Sequence, residues 1–381
     1  MTSRIEWVRQ SCRLLTAIAD EFAGSQPFRG LTIGTGIHLE PKTVALLLTL
    51  HAGGARVVST GNLNSTQPEA IAYLKARGVA VVGGPTSDEA EHDWHLKEVL
   101  MAEPHLILDN GGDLFVRYLE KPYPHLRGGT EETTSGRMRL GKLRAQLKHP
   151  VLVINDSPIK QFAENRHAVG QSILESFLRI TNRGTNGRKV LVFGYGSVGR
   201  GVAASFRNAF AIVAVVEADP VLRLEAKFDG FLVPARDEAI RTADVVITAT
   251  GAEAVVTDAD LDLFKNDVFL ANAGHFPREI TLERIVSDGR VKERIDAAEG
   301  ITTLVLEDQR RVHVLAGGHM LNLGGPRPLG NSIESMDLGF ALQARCLEAI
   351  ARGQVSQDDI VVPVPAFINA QVAEAFLRLY V

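Results

Sequence analysis

Cysteine is nearly absent from this chain. Cys12 and Cys346 are the only two in 381 residues, so no disulfide framework can hold the fold together, and no Cys/His spacing offers a zinc site. Positive charge is not in excess either. The 41 lysines and arginines are outnumbered by 45 acidic residues, for a net charge of −4, which removes the electrostatic case for nucleic acid or an anionic membrane as partner. No apolar run reaches the roughly 20 residues needed to span a bilayer. The segment Met1 to Phe28 carries polar and charged side chains throughout, unlike a secretory signal. Short-period repeats and low-complexity tracts are also missing. The expectation is a cytoplasmic protein with a small-molecule partner, binding neither nucleic acid nor membrane and carrying no metal.

What is present is the balance of a globular protein, 45% hydrophobic and 23% charged, in a chain long enough for two domains. The most specific feature lies mid-chain. The apolar run Lys189 to Phe193 ends in Gly194-Tyr195-Gly196-Ser197-Val198-Gly199. A helix-like segment follows from Arg200 to Phe206, then a second apolar run, Ala211 to Val216, that stops at Glu217. This is the dinucleotide fingerprint with its strand, helix, second strand and acid, not the bare glycines. The first glycine permits a tight turn, the second lets backbone approach a pyrophosphate, and the third lets helix pack on strand. The helix N-terminus offers unpaired N–H groups to the phosphates. Glu217 stands where a carboxylate accepts the ribose hydroxyls of NAD and repels the extra phosphate of NADP.

Two blocks of alternating strand and helix signals surround this motif. In the first, strands are expected at 31–33, 56–58, 79–82, 105–108 and 151–154, with helices at 41–50 and 68–76. The second block adds 244–247, ending in Thr248-Ala249-Thr250-Gly251, and 267–270, ending in Asn272-Ala273-Gly274-His275. A helix over 164–181 bridges the blocks, and another over 332–351 is expected to return to the first. Such βαβ grammar predicts an α/β fold with two parallel-sheet, Rossmann-like domains. In both blocks the polar clusters follow the carboxyl ends of strands, where open α/β sheets bind ligands.

Read in order, Ser65-Thr66-Gln67, Gly111-Gly112-Asp113-Leu114, Glu131-Glu132-Thr133-Thr134, Asn155-Asp156-Ser157 with Lys160, Gly194 to Gly199, Gly274-His275-Phe276 and Asn322-Leu323-Gly324 resemble the adenosylhomocysteinase (S-adenosylhomocysteine hydrolase) family from about Gly30 to Gly324. The resemblance implies a tightly bound NAD that is regenerated in every turnover. In that family the ribose 3′-hydroxyl is oxidised to a ketone, the acidified C4′ proton is removed, the 5′ substituent leaves by β-elimination, water adds, and the ketone is reduced again.

The resemblance also implies roles. Lys160 matches the lysine that handles the 3′-hydroxyl proton, and Glu132 the glutamate that contacts ribose and lysine. His38 matches the histidine near the 5′ carbon and His275 the one near the ribose hydroxyls. Thr133, Thr134, Asn165 and Asn322 match residues beside the cofactor. Gly194, Gly196, Ser197, Val198, Gly199, Glu217, Thr248, Thr250, Ala273 and Gly274 complete the implied cofactor site. Asn62, Ser65, Thr66 and Asp113 fall on the substrate side. The expected division is a substrate-binding domain over 1–165, an inserted NAD domain over 166–328, and C-terminal helices over 329–381 that rejoin the first.

The departures from the family pattern cluster on one half of the chemistry. Asn110 stands in place of an aspartate that supports acid/base chemistry at C5′, and an amide cannot take up that proton. Glu164 replaces an aspartate and Val169 a cysteine near the nicotinamide. The threonine and glutamate that serve adenine become Glu40 and Lys42, an aspartate becomes Pro68, and the Gly-His-Pro segment over adenine becomes Pro328-Leu329-Gly330. The family's C-terminal Lys/Tyr tail is not found. The oxidation half is kept and the nucleobase and leaving-group half is rebuilt, which predicts transient oxidation and 5′ elimination on a nucleoside-like substrate other than adenosylhomocysteine. A true adenosylhomocysteinase, a plain NAD dehydrogenase that releases NADH, and an NAD-binding regulatory pseudoenzyme are the competing expectations. A homodimer is expected, with a family-type tetramer left open.

Overall fold

The computed structural model describes residues 3–274 and 277–381. They divide into two compact units, one drawn from Met1–Gln161 with Ile333–Val381, the other from Phe162–Ser332. One unit is therefore inserted into the other along the chain.

The first unit is built on β1 (Thr32–Gly36), β2 (Arg56–Thr60), β3 (Ala80–Val82), β4 (Leu106–Asp109), β5 (Gly128–Glu131) and β6 (Val151–Val153), with the pair Val362–Pro363 added beside β6. All pair in parallel, in the spatial order Val362–Pro363, β6, β5, β4, β1, β2, β3. The order reverses between β1 and β4. The chain leaves the carboxyl ends of these neighbours to opposite sides, and a crevice opens there, the position where doubly wound sheets bind ligands. Helix Pro41–Ala52 starts on a proline at its first turn, where no N–H is needed. It buries Val44, Leu46, Leu47 and Leu50.

The returning helix Ile333–Ala351 is buried along nearly its whole length. Its Asp337 accepts the backbone N–H groups of Leu14 and Leu15 at 2.7 and 3.0 Å. It thereby caps helix Arg13–Ser25, whose own preceding residue, Cys12, supplies no side-chain cap. Tyr380 of the last helix, Ala366–Tyr380, donates to the same carboxylate at 2.8 Å. Residues from both ends of the chain thus converge on one buried acid.

The second unit carries β7 (Lys189–Phe193), β8 (Ile212–Val216), β9 (Val245–Thr248), β10 (Val268–Asn272), β11 (Val291–Ala298), β12 (Ile301–Leu306) and β13 (Arg311–Leu315), ordered β11, β12, β13, β10, β9, β7, β8. From β13 to β8 pairing is parallel; β11 and β12 extend the sheet antiparallel. Buried β7 sends Val190 and Val192 into one core and Leu191 and Phe193 into the other, which is why its sequence is continuously apolar. On one face, helix Val169–Thr181 crosses helix Ser197–Asn208 at a pair of glycines. A Cβ on Gly170 would meet the Gly201 carbonyl carbon at 2.4 Å, and one on Gly201 would meet Arg166 O at 1.7 Å. Here the order reverses between β7 and β9.

The expected bridge helix over 164–181 is two pieces, a π-helical stretch Lys160–Ala168 and the α-helix Val169–Thr181. No described helix is long and apolar enough to cross a membrane.

Candidate functional site

At the reversal point of the first sheet, β1 runs into His38 and β4 into Asn110. His38 Nδ1 lies 2.5 Å from Ser65 Oγ. The His38 carbonyl accepts from Thr43 Oγ1 at 2.6 Å, tying the loop to helix Pro41–Ala52. Asn62 Nδ2 donates to Asn110 Oδ1 at 3.1 Å, and Asn110 Nδ2 donates to Glu132 Oε2 at 3.0 Å. All three side chains are buried, so this is an ordered relay of amides ending on a carboxylate. Thr66 Oγ1 closes the Asn62 loop on the Asn62 carbonyl at 3.1 Å. Glu40 and Lys42 form a buried ion pair, Oε2 to Nζ, of 2.9 Å. Asp113 accepts from Arg139 at 2.6 Å and Arg117 at 3.2 Å.

Two acids that carried no assigned role bind the backbone of these turns. Asp109 Oδ1 and Oδ2 accept from the backbone of Asn110 and Phe115 at 2.9 and 3.0 Å. Glu131 accepts Gly111 N–H and Gly112 N–H at 3.0 and 2.9 Å, and both the backbone and hydroxyl of Thr133 at 2.7 Å. Burial pushes both carboxyls above their ordinary range, the nearby charge of Asp113 adding at Asp109 and that of Asp109 at Glu131. A Cβ on Gly136 would sit 2.1 Å from Glu131 Oε1, so that glycine makes room for the acid. The signal was the doubled acid of Glu131-Glu132. Glu131 ends β5 and Glu132 follows it; the two side chains meet different partners, and only Glu132 enters the amide relay.

Thr133 caps helix Thr134–Leu143 through Gly136 N–H at 2.9 Å, and Thr134 Oγ1 donates to Asn155 Oδ1 at 2.9 Å. Ser157 Oγ donates to Asn369 Oδ1 at 2.6 Å, so the returning C-terminal helix steadies the turn after β6. Lys160, Glu164 and Asn165 are buried on the π-helical stretch that follows; such stretches recur at functional sites because the wider turn redirects side chains.

In the second unit the fingerprint fits a dinucleotide on geometric grounds. Gly194 has φ 94°, and a Cβ there would lie 2.6 Å from Ala249 O; one on Gly199 would lie 2.1 Å from Gly194 O. A Cβ on Gly196 would meet nothing within 4 Å. The first and third glycines are required by packing, whereas the second faces open space beside a helix N-terminus that has no side-chain cap, the place for a pyrophosphate. Ser197 and Val198 open that helix. Glu217 accepts Tyr195 N–H at 2.6 Å and Asp219 N–H at 2.9 Å, which fixes its carboxylate at the end of β8. Tyr195 itself is buried and donates to Asp229 at 2.6 Å.

At the carboxyl ends of β9 and β10, Thr248 Oγ1 donates to Asn272 Oδ1 at 3.0 Å, and Gly274 N–H donates to the same oxygen at 2.7 Å. Ala273 N–H donates to Thr248 O at 2.8 Å. A fully buried Glu279 accepts Thr250 N–H, Thr250 Oγ1 and Gly251 N–H at 2.9, 2.7 and 2.9 Å. Sequence reading missed it because it lies five residues beyond the matched glycine, with no motif of its own. Asn322 Nδ2 donates to Ser172 Oγ at 3.0 Å and Asn331 Oδ1 at 3.2 Å; its buried Oδ1 has no partner among the described residues, an acceptor suited to a carboxamide. Leu329 is 44% exposed. His275 lies outside the described residues.

The fold and this phosphate-binding turn define an NAD-dependent enzyme of the doubly wound α/β class. Residues 165–327 match the family model described as S-adenosyl-L-homocysteine hydrolase, NAD binding domain, and residues 2–121 that described as S-adenosyl-L-homocysteine hydrolase. The chain is 40% identical to an S-inosyl-L-homocysteine hydrolase of Methanopyrus kandleri over 98% of its own length and 89% of that relative. It is 38% identical to the protein of the same name from Methanothermobacter thermautotrophicus, covering 90% and 83%, and 40% identical to an adenosylhomocysteinase of Thermotoga maritima, covering 89% and 85%. The chain belongs to the adenosylhomocysteinase family.

Proposed function

We propose that this protein cleaves the 5′-thioether of an S-nucleosyl-homocysteine whose base is not adenine. The carrying observation is the amide relay Asn62–Asn110–Glu132 in the crevice between β1 and β4. It keeps a carboxylate for the ribose while denying C5′ the second carboxylate of the family pattern. Bound NAD supplies reversible oxidation of the ribose 3′-hydroxyl.

The chain's own groups do the rest. Glu132 orients the ribose by accepting from a hydroxyl. Lys160, buried on the π-helical stretch, takes the 3′-hydroxyl proton as general base. His38, its ring fixed by Ser65, exchanges a proton at Nε2 with the leaving thiolate and then with water, which an imidazole nitrogen can do and the amide of Asn110 cannot. Asp113 and its arginines line the substrate side. The gated adenine contact of the family is replaced at Leu329. Two relatives named for an inosyl substrate support a changed base. The equally similar Thermotoga maritima adenosylhomocysteinase supports the other reading, an unchanged one.

Product analysis tests the proposal. NAD-loaded protein is incubated with S-inosyl- and S-adenosyl-homocysteine, and thiol and nucleoside are identified by mass spectrometry. Free homocysteine over many turnovers is expected. A dehydrated nucleoside without added water would remove the hydration step, and no cleavage of any nucleoside thioether would overturn the function.

A further inference from the structure

We infer that a second copy of this chain docks on helix Pro220–Phe228 and the sheet edge beside it, across a two-fold axis at Leu224. The sheet of the second unit ends at β8, and a one-residue bridge, Leu232 to Ala214, flanks that edge. Helix Pro220–Phe228 buries Ala226 and turns Val221, Leu224 and Phe228 to the opposite side. Their spacing, i, i+3, i+7, is that of the stripe by which a surface helix meets its own core; here the stripe faces solvent. Phe210 adjoins it. The Arg207 carbonyl accepts Phe210 N–H at 3.0 Å, and the Arg207 guanidinium donates to the Asp229 carbonyl at 2.6 Å, next to Phe228.

With Ile212 and Leu232 these residues are exposed by 46% at Ile212 to 84% at Phe228. Together they offer about 800 Å² of largely apolar surface. That exceeds the largest patch of an ordinary monomer, about 300–600 Å², and equals the roughly 800 Å² that each partner of a standard interface covers. Phe210 also has φ 65°, a left-handed conformation that strains a bulky residue. Its ring is 74% exposed, so packing within the chain does not offset the strain, whereas burial against a partner does.

The stripe is self-complementary, as an isologous contact requires. Val221 and Phe228 lie about one turn to either side of Leu224. A two-fold axis at Leu224 sets the two helices antiparallel, with Leu224 on Leu224 and the small Val221 of each copy against the large Phe228 of the other. Glu225, on one flank, is already paired with Arg200 at 2.5 Å. Lys227, on the other, is exposed and long enough to keep its charge in water.

The test uses the full NAD-loaded chain. Sedimentation velocity at micromolar concentration should show a dimer or a larger even assembly. Leu224→Arg and Phe228→Glu change exposed positions, so bound NAD and circular dichroism should match the wild type while the dimer weakens at least about 30-fold. Leu224→Cys should form an intermolecular disulfide on mild oxidation, because the axis brings the two copies of that residue together; Cys12 and Cys346 are buried and do not compete. Val221→Cys alone should not cross-link, and Val221→Cys with Phe228→Cys should. A monomeric wild type overturns the inference, whether or not it binds another protein or a lipid vesicle. So does an assembly that persists unchanged in Leu224→Arg and Phe228→Glu, or a dimer in which Leu224→Cys fails to cross-link. None of these readouts depends on the reaction catalysed, so their failure leaves the proposed function untouched.

Discussion

The side-chain amide of Asn110 donates to Glu132 Oε2 at 3.0 Å. The contact works because one partner is neutral. It holds the carboxylate in place without adding a second charge to a crevice already lined by buried acids.

Asn110→Asp would put two carboxylates about 3 Å apart, where both cannot ionise. We expect the pair to share a proton, so that kcat/KM against pH gains an ionisation above the ordinary carboxylate range that the wild type lacks. The folded variant binds that proton more tightly than the unfolded chain. Its stability should therefore fall as pH rises toward neutrality, by about 1–3 kcal/mol relative to wild type. Superimposable pH–rate profiles would count against the relay.

The three fingerprint glycines should fail differently. Gly199→Ala places a methyl 2.1 Å from Gly194 O and should destabilise the NAD-free protein by about 3 kcal/mol. Gly196→Ala meets open space, so the NAD-free protein should unfold as the wild type does while its retained NAD is lost. Thermal unfolding without cofactor, together with NAD content after purification, separates the two. Normal NAD content in Gly196→Ala would move the pyrophosphate elsewhere.

Burial pushes Asp337 up to about 6, against the lowering effect of the Leu15 and Leu14 N–H groups and Tyr380. A carboxyl whose folded value exceeds its unfolded one contributes stability below the unfolded value and loses it as pH rises through the folded value. From pH 4 to 7 this group should cost the fold about 2 kcal/mol. Asp337→Asn keeps an acceptor for the helix cap, so denaturation midpoints should show a flatter pH dependence than wild type over that range. Equal slopes would contradict the raised value.

Lys160→Met keeps length and burial but cannot hold the 3′-hydroxyl proton. NAD content should be retained, while kcat falls about 100- to 10,000-fold. Full activity in this variant would displace Lys160 from the mechanism.

The strands that the sequence made legible were those with apolar runs closed by glycine or polar residues, such as Lys189–Phe193 and Val268–Asn272. Strand β5, Gly128–Glu131, has no apolar residue, yet it lies between β4 and β6 and is buried throughout. Its glycines let neighbours approach closely, and its acid is met by backbone donors that only the folded turn supplies. Strand β11 was hidden for the opposite reason: its largely exposed, charged residues follow no core-facing pattern. At the site, motifs marked the groups proposed to face ligand. Of the acids behind them, Glu131 and Glu279 depend on partners distant in sequence, and Asp109 depends on backbone N–H groups that only the folded turn presents. The π-helical register at Lys160 leaves no mark on hydrophobic periodicity.

The central claim is that NAD is a recycled catalyst of C5′ elimination. Rapid mixing of the NAD-loaded enzyme with S-inosyl-homocysteine, following bound NADH fluorescence and free thiol together, tests it most directly. A transient rise in bound NADH, no larger than the enzyme present, followed by thiol release over many turnovers without NADH in solution, is the predicted result. NADH accumulating in solution once per turnover, or thiol release with no reduction of bound NAD, would contradict it.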